Sequence, residues 1–538
     1  MKSEGKRYCK NLLIILSAGI LFFFSQGCRK EQEPDPEPFV RLLKNQIFQS
    51  KLLKNEINYA VLLPANYDSS DESYPVVYLL HGFGDNESAW YSGGRISYYS
   101  DKYAEEISDM IFVMPEAFNS YYVNRYNGRF PYMEMFTREF VPAIDSIFRT
   151  KRDKMQRAVM GYSMGGFGAL ILPAKNPEMF EISIPLSMSF RTDEQYISEP
   201  GESWDYQWGS VFGGAGKKGE DRLTEYFIQN SPFHFFKGGD LSGFENLKIF
   251  IDCGDDEESL SVTNSELHVL LREKGIPHEY RVRNGGHSWD YWHNSIHEAL
   301  LFINTSFQGG VYPEGPVETE TGDNVPSGNI HILEMERMVK NPEVLVPPDY
   351  MAESGNYPVV YFVHDFEQGN RADQNTKFFS LLYNAMLSGK LTKSLVVEIP
   401  FESSVFDQYM IGDIIYKADE NFATIKDKKG RMILGNRKSG NLVSSVVSDD
   451  TSGFTSCILL NAIIDTTVQV SKADVFYYLD GSDSGIAYKS YHKLFLELRN
   501  AGKEYEYRIR QGDDSFESFL NGLTESIPVL QKRLKIKI

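Results

Sequence analysis

The sequence predicts an α/β fold, a mostly parallel sheet flanked by helices, and predicts it twice within one chain. Three observations carry this. Short apolar runs of strand length alternate with longer helical stretches, the rhythm of strands joined by covering helices. The segment YPVVYLLHGFG, Tyr74 to Gly84, recurs as YPVVYFVHDFE, Tyr357 to Glu367. Two later segments recur in the same order: GYSMGG from Gly161 as GNRKSG from Gly435, and EYRVRNGGHSW from Glu279 as EYRIRQGDDSF from Glu506.

In chain order, Ile57 to Pro64 reads as a strand, Val76 to Leu80 and Ile111 to Met114 as buried strands, and Tyr132 to Arg149 as a helix. Arg157 to Met160 is a strand that leads into a glycine-flanked turn, followed by a helix from Met164 to Lys175 that Asn176-Pro177 ends. Ile182 to Met188, Leu247 to Cys253 and Glu279 to Arg283 supply further strands. Phe190 to Phe244, rich in aromatic residues and glycine, breaks this rhythm and reads as a cap. The second copy opens with Leu345 to Tyr350 echoing Leu62 to Tyr67. Its spacings are shorter, so it is expected to be a reduced core.

At 538 residues, 42% of them apolar and 24% charged, the chain is globular and long enough for two domains. With 74 acidic against 55 basic residues, net charge −19, it lacks the basic excess that binds nucleic acid. Lys2, Lys6, Arg7 and Lys10 precede the apolar run Leu12 to Phe24, which ends in Ser25-Gln26-Gly27-Cys28. This is the layout of a secretory signal and is similar to a bacterial lipoprotein signal, with Cys28 as the lipidated residue. The expected organisation is a signal peptide at 1–28, a charged, proline-stiffened tether at 29–40, a first domain at 41–307, a linker at 308–328 and a second domain at 329–538. The expected location is the outer membrane, facing the periplasm or the cell surface, and the acidic stretch after Cys28 resembles the surface-export signals of Bacteroidota lipoproteins. Cys253 and Cys457 lie in apolar, strand-like surroundings and read as buried hydrophobes. No metal-ligand spacing is present, and no cofactor is implied.

The chemistry sits in the first copy. A G-x-S-x-G turn between a strand and a helix thrusts a serine hydroxyl out at the sheet edge, so Gly161, Ser163 and Gly165 mark Ser163 as a nucleophile. Its base should follow the last strand, where His287 lies in Gly-Gly-His-Ser-Trp. In the second copy Arg437 and Asp514 replace these two residues. The carboxylate that orients the imidazole should follow Cys253-Gly254, and Asp255, Asp256, Glu257 and Glu258 all qualify. Two backbone amides should bind the oxyanion, one from Met164 and one from Phe83 in the His81-Gly82-Phe83-Gly84 turn. In the second copy Asp365 and Glu367 stand at the places of Gly82 and Gly84, putting negative charge where an oxyanion would form. Trp204, Tyr206, Trp208, Trp289 and Trp292 are candidates for stacking on sugar or aryl faces, Trp208 and Trp289 foremost, or else for packing the cap.

Together, His-Gly-Phe-Gly, Asn124 to Asp145, Gly-Tyr-Ser-Met-Gly-Gly, Asp-Cys-Gly-Asp-Asp and Gly-Gly-His-Ser-Trp make Leu43 to Phe307 resemble the esterase D family of α/β-hydrolases. That family includes carbohydrate esterase family 1 feruloyl and acetylxylan esterases, formylglutathione hydrolases and mycolyltransferases. The resemblance implies an α/β-hydrolase fold and a serine esterase acting on a small ester or on acetyl or feruloyl groups of a polysaccharide. It points to Glu257 as the acid, three residues after the glycine, while alignment back from Leu260 and Asn264 points to Glu258 and chemical type keeps Asp256 open; Glu257 is favoured, with Asp256 next. Asn329 to Leu534 is similar to a degenerate, non-catalytic member of the same family, in contact with the first copy or binding a glycan. Acyl transfer, peptide cleavage on the same scaffold, or a wholly non-catalytic glycan-binding lipoprotein are the alternatives.

Overall fold

The structure, a computed structural model, describes residues 42–535 apart from 239–240, 242–243, 245, 313–318, 354–355, 367–369, 402–407, 449–452, 465–469 and 471–472. The expected signal peptide with Cys28, the expected tether, part of the expected 308–328 linker and Glu367 lie outside the described residues. No described helix is long and apolar enough to cross a membrane.

The first half contributes eight strands: β1 (Leu42–Ser50), β2 (Asn55–Leu62), β3 (Val76–Leu80), β4 (Ile111–Pro115), β5 (Arg157–Tyr162), β6 (Ile182–Leu186), β7 (Lys248–Gly254) and β8 (Glu279–Arg283). The second half contributes β9 (Ile330–Ile332), β10 (Glu343–Leu345), β11 (Val359–His364), β12 (Leu395–Pro400), β13 (Arg431–Arg437), β14 (Ser456–Ala462), β15 (Phe476–Ser482) and β16 (Tyr505–Arg510). All sixteen form one sheet in the order β1-β2-β4-β3-β5-β6-β7-β8-β16-β15-β14-β13-β11-β12-β10-β9. Read inward from its two ends the order is the same, strand for strand. Within each half the strands from β4 to β8 and from β12 to β16 run parallel.

Alternation along each strand explains why helices must cover both faces. Val76, Tyr78 and Leu80 of β3 enter one apolar core, and Val77 and Leu79 enter another. The helix Met164–Lys175 is buried over nearly its whole length, which accounts for its small residues. The helical reading of Tyr132 to Arg149 is corrected in detail. That stretch is the helix Tyr132–Met135, a wider turn over Phe136–Phe140 and the helix Val141–Ile147, and it stops where Phe148 turns extended. The strand β1 gave no signal in the sequence. The described stretch 190–238 is a set of short helices packed through aromatic rings such as Tyr196, Trp204, Trp208, Phe212 and Phe227.

The halves meet where β8 pairs antiparallel with β16, Val282 opposite Ile509. These two residues hold the same place in EYRVR and EYRIR, so the chain meets its own repeat about a local two-fold axis, as in an isologous dimer. The polar contacts obey that axis. Asp255 accepts from the Tyr507 amide (3.2 Å) and pairs with Arg508, while Asp483 accepts from the Tyr280 amide (3.3 Å) and pairs with Arg281 (2.6 Å). All four side chains are nearly buried, so losing either arginine strands a buried carboxylate at a cost of about 3–5 kcal/mol.

Candidate active site

The carboxyl ends of β3, β5, β6, β7 and β8 lie side by side, and each opens into a loop that carries part of one site. After β5 the chain turns sharply at Ser163 (φ 58°, ψ −121°) before entering the helix Met164–Lys175. A left-handed backbone at a non-glycine residue costs about 1–3 kcal/mol, so its surroundings must impose it. The Ser163 amide donates to Leu186 O (3.0 Å), and its carbonyl accepts from Phe167 N (3.1 Å) and Ser189 N (3.0 Å). The flanking glycines are required by contact: a Cβ on Gly161 would lie 2.3 Å from Gly165 O, and one on Gly165 would lie 2.2 Å from Leu80 O. Ser163 remains half-buried at the sheet edge.

After β7 and β8 the two remaining loops come together. His287 Nδ1 lies 2.7 Å from Glu257 Oε2. The Glu257 side chain is fully buried, whereas that of His287 is 38% exposed. The other oxygen of Glu257 accepts from the Gly254 amide (2.9 Å) and from the Ser187 hydroxyl, which itself accepts from Trp292 Nε1 (2.8 Å). Both oxygens are thus satisfied without a counter-cation. A carboxylate on Nδ1 fixes the proton there and leaves Nε2 free to take a proton. Trp292 supports the imidazole edge-on, ring centroids 5.0 Å apart.

After β3 the turn at 81–84 is fastened by His81. Its Nε2 accepts from Ala117 N (2.8 Å), so its Nδ1 carries the proton and donates to Gly82 O (2.8 Å). A Cβ on Gly82 would strike the Tyr162 ring at 2.6 Å. Among the described residues the amides of Phe83 and Met164 have no acceptor. They are two donors on either side of the serine turn, as an oxyanion site requires.

The four adjacent carboxylates separate by environment. Glu257 faces His287. Asp255 faces the second half, with its proton affinity raised by burial and lowered again by Arg508. Asp256 and Glu258 are exposed. Asp256 as a catalytic acid is therefore corrected: it points to solvent, and the imidazole is already bonded to its neighbour. Cys253, beside this loop, is fully buried, and burial first, then the Glu257 charge, pushes its thiol far above the usual range. It is an inert wall.

The tryptophan candidates change too. Trp208 is 1% exposed, wedged between Tyr121, Tyr196 and Phe212 with its Nε1 on Glu199, so it cannot offer a face to substrate. Trp204 and Trp292 are likewise buried. Trp289 is half-buried against Trp90, Tyr162 and Trp292, pressed where Gly93 and Gly94 leave room. Tyr206 is the aromatic left open, 70% exposed and edge-on to Phe83 at 5.5 Å. Ser187 escaped the sequence reading because a lone serine after a strand carries no pattern.

The second half builds the same turns with other side chains. Arg437 stands at φ 44° where Ser163 stands, its Nη1 donating to Asp514 O (3.2 Å). Asp514 holds the place of His287, and counting from the aligned β7 and β15 puts Gly485 at the place of Glu257. The Lys438 amide, counterpart of Met164, donates to the Asp365 carboxylate (3.0 Å). Nucleophile, base, acid and anion site are all altered.

Comparison with known proteins agrees with the first half. Residues 50–303 match the family model described as "Putative esterase". An acetyl esterase of Caldicellulosiruptor saccharolyticus is 26% identical over 269 residues, 48% of this chain and 96% of that protein. An endo-1,4-beta-xylanase/feruloyl esterase of Xylanibacter ruminicola is 34% identical over 129 residues, 22% of this chain and 18% of that protein. A solved ferulic acid esterase is 29% identical, with a TM-score of 0.43 over 50% of this chain and 98% of its own. The half of the chain that carries Ser163, Glu257 and His287 is an esterase, a carboxylic ester hydrolase.

Proposed function

We propose that Ser163, His287 and Glu257 work as a catalytic triad that removes acetyl or feruloyl groups from polysaccharide side chains. Ser163 Oγ attacks the ester carbonyl carbon while His287 Nε2 takes the hydroxyl proton. The oxygen that gains charge is held by the Phe83 and Met164 amides. The imidazolium, steadied by buried Glu257, passes its proton to the departing alcohol oxygen and leaves an acyl-serine. Water, deprotonated by His287, then attacks the acyl carbon, and the proton returns to Ser163 as the acid leaves.

The observation that carries this reading is the buried Glu257 bonded to His287 across two loops that flank the strained serine turn. The substrate class rests on the named relatives, an acetyl esterase and a xylanase/feruloyl esterase. Tyr206 and Phe83 form an open aromatic edge suited to an aryl or sugar face. We further propose a lipid anchor at Cys28 in the outer membrane, on the strength of the basic, apolar and small-residue run before it. The second half is in this reading a non-catalytic partner joined edge to edge with the first.

Hydrolysis of p-nitrophenyl acetate and methyl ferulate tests the assignment. The wild type should turn over at least one of them, and Ser163→Ala should lose about 1,000-fold or more in kcat. Equal rates for the two proteins would discard the triad. Cys28→Ala should move the protein out of the membrane fraction of its native host, and unchanged partitioning would discard the anchor.

A further inference from the structure

We propose that Arg508, in the half that lacks catalytic groups, is a positioning residue for hydrolysis in the other half. It acts through Asp255 on the loops that carry Glu257 and His287. The inference rests on the triad assignment above and adds to it a function for the second half.

The acid and base loops are laced to each other first. The Asp255 amide donates to Arg283 O (3.0 Å) and the Asp256 amide to Gly285 O (3.1 Å). The Gly285 amide donates back to Asp255 Oδ1 (3.1 Å). A Cβ on Gly254 would lie 2.1 Å from Gly285 O, so the two backbones are in direct contact. Asp255 is thus the knot between the loops, two residues before Glu257, and Gly285 is two residues before His287. Among the described residues the other oxygen of that carboxylate is held by nothing in the first half. It accepts from the Tyr507 amide (3.2 Å) and from Arg508, whose second nitrogen is braced by Glu506 (2.6 Å). With 2% of its side chain exposed, Asp255 is shut off from bulk solvent that could replace that partner. Loss of the arginine would leave a buried carboxylate to shift or take up a proton, and either change moves the knot. Small misplacement of a catalytic pair lowers the rate of the chemical step more than it weakens ground-state binding.

The local two-fold axis supplies the control. Asp483 makes the mirror-image contacts: its amide donates to Arg510 O (2.9 Å), its Oδ1 accepts from Gly512 N (3.2 Å), and its Oδ2 accepts from Tyr280 N (3.3 Å) and Arg281 (2.6 Å). The loops it ties carry Gly485 and Asp514, which do no chemistry. Asp255→Asn and Asp483→Asn therefore make the same change at the same seam, and only the first touches the triad loops.

In the full-length protein, p-nitrophenyl acetate kinetics and thermal melting of both variants make the test. Asp255→Asn should lower kcat about 10-fold or more with KM within about 2-fold. Asp483→Asn should lower the melting temperature comparably and leave kcat within about 2-fold. Should Asp255→Asn fail to fold, Arg508→Gln and Arg508→Lys replace it, with the lysine variant expected to recover part of the kcat lost in the glutamine variant. Equal kcat losses in Asp255→Asn and Asp483→Asn, or wild-type kcat in Asp255→Asn or Arg508→Gln, would overturn the proposal. Ser163→Ala measured alongside keeps the two questions apart. Turnover by that variant removes the triad itself, whereas its inactivity together with equal seam variants removes only the role of Arg508.

Discussion

At Ser163 and at Arg437 the backbone makes the same left-handed turn, φ 58° and 44°, between a central parallel strand and a helix. The turn is imposed by packing in both places. A Cβ on Gly166 would lie 2.6 Å from Leu186 O, and one on Gly440 would lie 2.6 Å from the Ala462 side chain. The strained corner is thus a property of how the helix seats on the sheet, and the chemistry is a separate layer of side chains laid on it. In one half that layer is a hydroxyl, an imidazole and a buried carboxylate. In the other, a guanidinium occupies the corner, Gly485 leaves no acid, and the Asp365 carboxylate takes the amide an oxyanion would need.

Changing single groups of the first half's side-chain layer breaks this comparison most sharply. Replacing the acid should have the largest effect: Glu257→Gln keeps the shape but donates where the imidazole needs an acceptor, and kcat should fall about 1,000- to 10,000-fold. Asp256→Asn, one residue away and solvent-facing, should stay within about 2-fold. Steady-state hydrolysis of p-nitrophenyl acetate by the two variants reads this directly, and similar losses in both would return the acid to an open question. Gly82→Asp copies Asp365 into the first half. It sets a carboxylate beside the Phe83 and Met164 amides and crowds Tyr162, so kcat should drop about 100- to 1,000-fold. A Gly82→Asp protein with near wild-type kcat would show that the 81–84 turn does not contribute to the oxyanion site.

The smallest expected effect concerns acid stability at the seam. His268 stacks on Tyr280 at 4.6 Å as Phe495 stacks on Tyr507 at 4.6 Å, so a histidine stands in one half where the other has phenylalanine. His278 Nδ1 donates to Ile276 O (2.9 Å) and its Nε2 accepts from His268 (2.8 Å), an arrangement that needs the His278 ring neutral. Burial pulls His278 down to about 4 from 6.5 and His268 well below that ordinary value. Because the folded values lie below the unfolded ones, the unfolded chain takes up protons first. The contribution to stability is full above about pH 6.5 and is lost as pH falls toward 4. The drop in melting temperature between pH 7 and pH 5 should be smaller in His278→Gln than in the wild type, by about 2 °C or more. An equal drop would mean that another group sets the acid limb.

Much of the architecture was legible because it is written in periodicity and repetition. The apolar runs that became β3, β5 and β7, and the glycines around Ser163, follow from burial on two faces and from contacts with no room for a side chain. What stayed hidden depends on distance in space. Four carboxylates in a row look alike until β7 and β8 are placed beside β16, when Asp255 turns to Arg508 and Glu257 to His287. Aromatic residues of the cap look alike until the helices pack, when Trp208 is enclosed and Tyr206 is left outside. The strand β1, LLKNQIFQS, is a largely solvated edge whose polar residues give it no apolar run to recognise.

Pairing β8 with β16 also disposes of two exposed hydrogen-bonding borders at once, leaving β1 and β9, among the described residues, as the outer strands of a sheet sixteen strands wide. Such borders invite stacking with other molecules unless they are blunted. Here β9 is three residues long, and β1 carries an irregularity between Leu43 and Gln46, with Asn45 left-handed and Lys44 beside it. Both features work against the addition of strands from a neighbouring molecule to a sheet of this width.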